Sequence, residues 1–411
     1  MYSQILRAVA MTAALLPAFA QAASPLTLEQ ALDLAVQRSE AIHSARAGAL
    51  SAAESAHAAG QLPDPMLQAG IDNLPVTGAG ALKTTSDSMT MKRIGISQEW
   101  LSSQKRAVRQ AAADAASARD ETQVQVATAD TRVQTALAYV DAFYAKQALK
   151  LTSLMEHHAH EELEASKGRV ASATGSSQDV LALASARGMA EDESDEVRQQ
   201  QSEAVVALQR WVGIPIDDLA PPVVLPPPTE AAFVSGLPSL IAMRRDVDVA
   251  KQAAAATASE RTPNWTWQVS YGQRTGYSDM VSVGVSIPLQ VAPAQRQDRA
   301  TASKLALVEK AEADLAEATR AASAEYEALL SDVQRLQQRI ARYRAGVLVP
   351  AQQRIDAATA GYASNQVSLA TLFEARHMEV DAERKFLALQ RDLAKAQVQL
   401  AFKPLMNGGE Q

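Results

Sequence analysis

Hydrophobic positions along this chain follow two periods. Most of it obeys a four-three spacing. Val133, Leu137, Val140, Tyr144, Gln147, Leu151 and Leu154 form such a series, and adding 189 to each number gives Ala322, Tyr326, Leu329, Val333, Leu336, Ile340 and Tyr343. Gln147 is the one polar exception. This alternation is a coiled-coil seam. It predicts two long helices, over about 102–167 and 295–360, each on the order of 100 Å at 1.5 Å per residue. After each, a turn and a second helix lead back, to Gly213 and to Phe402.

The second period is two, and it occurs in short pieces. In "NWTWQVSYGQRTGYSDMVSVGVSIPL" (264–289), Trp267, Val269 and Tyr271 point one way and Thr266, Gln268, Ser270 and Gly272 the other. Val281, Val283, Val285 and Ile287 alternate with Ser282, Gly284 and Ser286. Leu67, Ala69 and Ile71, then Ile94 and Ile96, repeat the pattern in the first half. Four short strands with one apolar face cannot sustain a soluble sheet far from any other core. A transmembrane barrel turns that face to lipid and the polar face to a water-filled lumen. Trp100, Trp265 and Trp267 fall at the helix-proximal strand ends, where an aromatic girdle sits at a membrane surface; the plain alternative is core tryptophan. Four strands do not close a barrel, so the chain is expected to oligomerise.

The two halves align as one unit used twice. Pro63 corresponds to Pro263 at an offset of 200, and Gly95 to Gly284 at 189, so the first hairpin loop is 11 residues longer. Beyond the long helices the offset becomes 192, aligning Val180 with Leu372, and the added residues fall near Gly346 and Pro350. Prolines 221, 222, 226, 227 and 228 mark an extended linker between the halves. The expected organisation is a leader at 1–22, a first repeat at 23–213, a proline-rich linker at 214–240, a second repeat at 241–403 and a tail at 404–411.

Composition narrows the function. The opening "MYSQILRAVAMTAALLPAFAQAAS" reads as a cleaved secretory signal, with Arg7, an apolar run and small residues at 18, 20 and 22. No later stretch approaches 20 uncharged apolar residues, so a membrane span would need a closed β-barrel. The net charge of −7 argues against nucleic acid as a partner. The absence of cysteine excludes disulfides, thiolate chemistry and a lipid anchor on cysteine. No phosphate-binding glycine loop, nucleophile elbow or cysteine–histidine pair is present, and the chain reads as a non-enzyme without a cofactor.

The duplicated helix–hairpin–helix plan, the leader and the turn "IDAATAGYASNQVSLATLFEA" (355–375) resemble the TolC-type outer membrane factors. The segment "LPDPMLQAGIDNLPVTG" (62–78) resembles more specifically the CzcC-like channels of cobalt–zinc–cadmium efflux systems. The resemblance implies a mainly α fold with a small β part. Long coiled-coil hairpins and four transmembrane strands per chain would close a 12-stranded barrel and a 12-helix tunnel in a homotrimer. It implies an outer membrane location, a periplasmic adaptor and an inner membrane pump of the resistance–nodulation–division type as partners, and heavy-metal cations as cargo. It also places a periplasmic gate at Glu164 and Asp356. Adaptor-contact turns fall at Gly168, Arg169, Ser172 and Gly175 and at Gly361, Tyr362, Ser364 and Asn365. The tip sequences "RVASATG" and "GYASNQ" depart from the family's usual forms, and no arginine is identified just beyond the second turn.

For Glu164 and Asp356 the alternative is a solvated helix face; for the turns it is turn chemistry alone. "EHHAHEELE" (156–164) is the histidine cluster, and it reads first as a solvated face. As metal ligands it would offer His157, His160, Glu161 and Glu164 at helical spacing. His43, His57 and His377 stand isolated and receive no role. Drug efflux or polypeptide secretion keeps the fold and changes the cargo. A soluble periplasmic coiled-coil scaffold would explain the heptads but not the amphipathic hairpins.

Overall fold

The computed structural model describes residues 25–223 and 226–405. The expected leader and most of the expected tail lie outside them. In chain order the elements are α1 (Leu28–Arg38), α2 (Glu40–Ala59), β1 (Met66–Asp72), β2 (Met91–Trp100), α3 (Ser103–Ala171), α4 (Ser177–Val212), α5 (Glu230–Gly236), α6 (Pro238–Ser259), β3 (Trp265–Arg274), β4 (Met280–Ser286), α7 (Gln297–Tyr343), α8 (Val349–Ala363) and α9 (Leu369–Phe402). The plan is mainly helical with one small sheet. α3 alone has 69 residues, about 100 Å of helix. Ser102 caps its start by accepting the Lys105 amide.

A π-turn at Arg344–Leu348 joins α7 to α8, where the sequence offset changes beside Gly346 and Pro350. Pro350 has no amide hydrogen to bond back to the previous turn, and a widened turn accommodates that loss. The linker is less extended than its prolines suggest. α5 begins two residues after Pro228, with the Thr229 side chain capping the Ala232 amide. α6 follows at once, with Pro238 in its first turn.

Three small cores are strung along the helices. At the middle, Tyr139 is fully buried among Leu28, Leu32, Leu208, Val212 and Val398. Its hydroxyl lies 2.7 Å from both the Leu26 and the Ala220 carbonyl oxygens. It thereby holds the segment just before α1 against the linker, where Leu26 and Leu219 form a parallel bridge. Burial pushes its pKa up to about 12, against the Ala220 hydrogen bond. A second core groups Phe233, Leu240, Tyr326 and Leu400, and Tyr326 donates to the Pro228 carbonyl at 2.9 Å. The third lies toward the turns, with Met155, Leu163, Leu183, Leu372 and Phe373.

The predicted seam holds at Val133, Val140, Ala322, Tyr326 and Val333, all buried. Leu154 departs from it and is 51% exposed, while Thr152, Met155 and Ala159 are buried instead. A straight helix drifts about 20° per heptad from a strict seven-residue repeat. Along α3 the neighbours also change, from α2 and α6 to α4 and α9.

Candidate functional site

The sheet has the order β1-β2-β3-β4 with every pair antiparallel. Met66 pairs with Ser97 and Thr266 with Ser286, so the two hairpins share one register at offsets of 200 and 189. Apolar side chains run across all four strands in rows: Leu67–Ile96–Val269–Val283 and Ala69–Ile94–Tyr271–Val281. They are uncovered. Leu67 is 72% and Val283 75% exposed, and the alternation continues past β4 at Ile287, Leu289 and Val291.

The opposite face is mostly small and polar, with rows Gln68–Gly95–Ser270–Ser282 and Met66–Ser97–Gln268–Gly284, and methionines at its ends. Gln68 donates to Ser97 at 3.1 Å, and Arg93 pairs with Asp72 at 3.2 Å. Space is tight here. A Cβ on Gly95 would lie 2.7 Å from the Ser270 Cβ, and one on Gly284 would lie 2.9 Å from the Gln268 amide nitrogen. The crowding is local, since a Cβ on Gly70 of β1 would meet nothing within 4 Å. Among the described residues nothing pairs with the outer edge of β1 or of β4. Exposed edges of this kind are a liability unless another chain completes them.

Trp100 and Trp265 are cross-strand partners at the helical end of the apolar face, with ring centroids 5.9 Å apart. Trp267 follows two residues along β3 on the same face. Just below, buried Lys105 reaches Glu260 at 2.8 Å and the Asn264 side-chain oxygen at 2.7 Å, and Arg109 reaches Glu260 at 3.0 Å. Burial raises the Glu260 pKa, but the two cations outweigh it and hold the carboxyl below its ordinary value. This cluster ties α3 to the base of β3.

At the far end the two helical turns repeat one geometry at an offset of 192. Ala173 and Asn365 occupy the left-handed region at φ 57° and 56°. Ser176 caps α4 and Ser368 caps α9 through their side chains. In the first turn Arg169 faces Gly175, whose added Cβ would lie 2.9 Å from the Arg169 Cβ and from the Val170 nitrogen. In the second the sizes are exchanged: Gly361 faces Val367, with a Cγ at 3.1 Å from a built Cβ. Arg169 also reaches across to the second turn. It donates to the Tyr362 hydroxyl at 3.3 Å, with its guanidinium 5.6 Å from the ring centroid. Gly168, Ser172, Ser364 and Asn365 remain on or beside these turns, and Ser172 and Ser364 hydrogen-bond their own turn carbonyls.

Glu164 and Asp356 each lie eight residues before the C-terminal cap of their helix, and both are exposed. They differ in charge balance. Glu164 accepts from Lys167 at 2.8 Å, which lowers its pKa, whereas Thr359 stands at the matching position beside Asp356. Asp356 makes no ion pair among the described residues; Gln352 lies 3.4 Å from it.

The histidine cluster does not gather as one ligand set. His157 and His158 both approach Glu161, at 3.2 and 3.6 Å, His160 is exposed, and Glu164 is engaged by Lys167. A different group comes together across helices: Glu193 of α4 with His377 and Asp381 of α9. These positions are 184 residues apart in the chain, and no spacing rule joins them. Sequence reasoning also passed over Arg376. It donates to buried Glu162, whose pKa burial raises against the opposing arginine.

No family model and no curated protein matches this chain. Solved structures do. The outer membrane channel CmeC of Campylobacter jejuni superposes with a TM-score of 0.78 at 12% identity, covering 92% of this chain and 85% of that one. VceC of Vibrio cholerae, an outer membrane protein, gives 0.70 at 18% identity over 90% and 95%. CusC, whose structures describe transmembrane channel formation, gives 0.75 at 13% identity over 91% of each. The chain has the TolC-like fold of these channels.

Proposed function

We propose that this chain is one protomer of a homotrimeric outer membrane efflux channel, a passive duct rather than an enzyme. The observation that carries this reading is the sheet: an uncovered apolar face, a locally crowded polar face and two unpaired edges. No helix of the described residues is long and apolar enough to cross a membrane. β3 has 10 residues, about 33 Å of strand; tilted by about 40°, it spans roughly the 25 Å of a barrel's apolar band. Three copies supply 12 strands and close both edges. The helices would then continue as a tunnel into the periplasm, with Trp100, Trp265 and Trp267 at the periplasmic surface of the outer membrane.

The turns are the docking end in this reading. They would meet a periplasmic adaptor, which connects to an inner membrane pump of the resistance–nodulation–division type. Glu164 and Asp356 would then line the entrance, with Asp356 the less neutralised charge. Rings of carboxylates favour cations at a pore mouth. With the resemblance of residues 62–78 to the CzcC-like channels, this makes heavy-metal cations of the cobalt–zinc–cadmium class the proposed cargo. The test is growth of a deletion strain and its complemented control across zinc, cobalt, cadmium, nickel, copper and silver, beside a drug panel. Selective sensitivity to divalent metals is expected. Drug sensitivity with unchanged metal tolerance would overturn the cargo and leave the channel.

A further inference from the structure

Glu193, His377 and Asp381 are not among the residues assigned above to the barrel, the gate or the turns. His377 and Asp381 are four residues apart on α9, one helical turn, with the His377 Nε2 3.7 Å from an Asp381 oxygen. Glu193 approaches from α4. One ligand atom from each lies within 4.8 Å of the other two. Phe373 stacks against the imidazole, with centroids 6.0 Å apart and planes 13° from parallel, which fixes the ring plane. The His377 Nδ1 is buried without a hydrogen-bond partner. The other ring nitrogen, Nε2, is the one that faces Asp381, and it stays available as a ligand.

We propose that these three residues bind one divalent cation of the zinc class and so clamp α4 to α9. One imidazole and two carboxylates suit zinc, cobalt or nickel better than calcium or magnesium. Zinc takes nitrogen and oxygen ligands at about 2.0–2.2 Å, and a tetrahedron of that size separates them by about 3.4 Å. The two carboxylate arms supply the contraction of about an ångström by side-chain rotation, and water fills the fourth position. Arg384 is the built-in competitor. It pairs with Glu193 and neutralises that carboxylate until a cation displaces it. Tyr343 of α7 is a further titratable neighbour, and Lys385 lines the same cavity as Asp381 and Arg384. The Tyr343 pKa is raised by burial and then by the Asp381 charge. The clamp lies within one chain, so it does not depend on what the duct carries.

The test uses full-length protein in detergent, in a background with His157→Ala, His158→Ala and His160→Ala to silence the surface cluster. Zinc is titrated against a chromophoric chelator, and melting is followed with and without zinc. One zinc per chain and a zinc-dependent rise in Tm are expected. His377→Gln and Asp381→Asn should each weaken binding by at least about tenfold. Arg384→Gln should tighten it. The zinc-free Tm of exposed Asp381→Asn checks that its fold is retained. Absence of stoichiometric zinc in the background protein, or unchanged affinity in both ligand variants, would overturn the proposal.

Discussion

Replacing Gly175 with alanine places one methyl group where the first helical turn has no room. The new Cβ would lie 2.9 Å from both the Arg169 Cβ and the Val170 nitrogen, and 3.0 Å from the Arg169 carbonyl carbon. Two of those atoms are backbone and cannot rotate away. Overpacking of this kind costs about 1–3 kcal/mol. At about 1.4 kcal/mol per factor of ten, that is roughly a 5- to 150-fold rise in the opened turn. The second turn supplies the compensation, since it carries glycine at the position of Arg169 and valine at the position of Gly175. Arg169→Gly added to Gly175→Ala should therefore recover part of the loss, with a coupling of about 1 kcal/mol. Hydrogen exchange over residues 168–180 measures this directly, because the turn amides bond back to Gly168, Arg169 and Val170. Wild-type exchange in Gly175→Ala, or strictly additive effects in the double variant, would refute the steric account.

Tyr139→Phe removes the donor shared by the Leu26 and Ala220 carbonyls in a fully buried site, and should destabilise the protein by about 1–3 kcal/mol, read as a lower Tm in detergent. Glu162 binds its proton more readily folded than unfolded, because burial raises its pKa. Its contribution therefore falls as pH rises from the ordinary glutamate value through the raised one. Glu162→Gln should flatten that part of the Tm-against-pH curve, and an unchanged slope would remove Glu162 as its source. Asp356→Asn should reduce cation selectivity, measured as reversal potential across a planar bilayer, more than Glu164→Gln, because Lys167 already offsets Glu164. An equal effect of the two would contradict that difference.

The large features of this fold are legible in sequence because they rest on periodicity. The heptads of α3 and α7 and the alternation in β3 and β4 each report a local repeat of three to four or two residues. Leu154 shows where this stops. The pattern assigns it to the seam, but its burial depends on which helix lies alongside α3 at that height. α5 was hidden by the prolines of the linker before it, which end at Pro228, just ahead of its Thr229 cap. The turn geometry was partly visible: the repeat at an offset of 192 placed both turns, but the exchange of Arg169–Gly175 for Gly361–Val367 acquires meaning only once the pairs are seen in contact. Arg376 and His377 were invisible as partners because Glu162 and Glu193 reach them from distant stretches of chain.

In the proposed channel three copies close a barrel through the outer edges of β1 and β4. The chain has no cysteine, so paired cysteines can be introduced without background. Gln68→Cys on β1 can be scanned against Ser282→Cys, Gly284→Cys and Ser286→Cys on β4, with oxidation in outer membranes and separation on a denaturing gel. At the correct register the account predicts a covalent ladder that stops at three chains, and monomer for either single cysteine. Monomer at every register, or a ladder running past three, would contradict it.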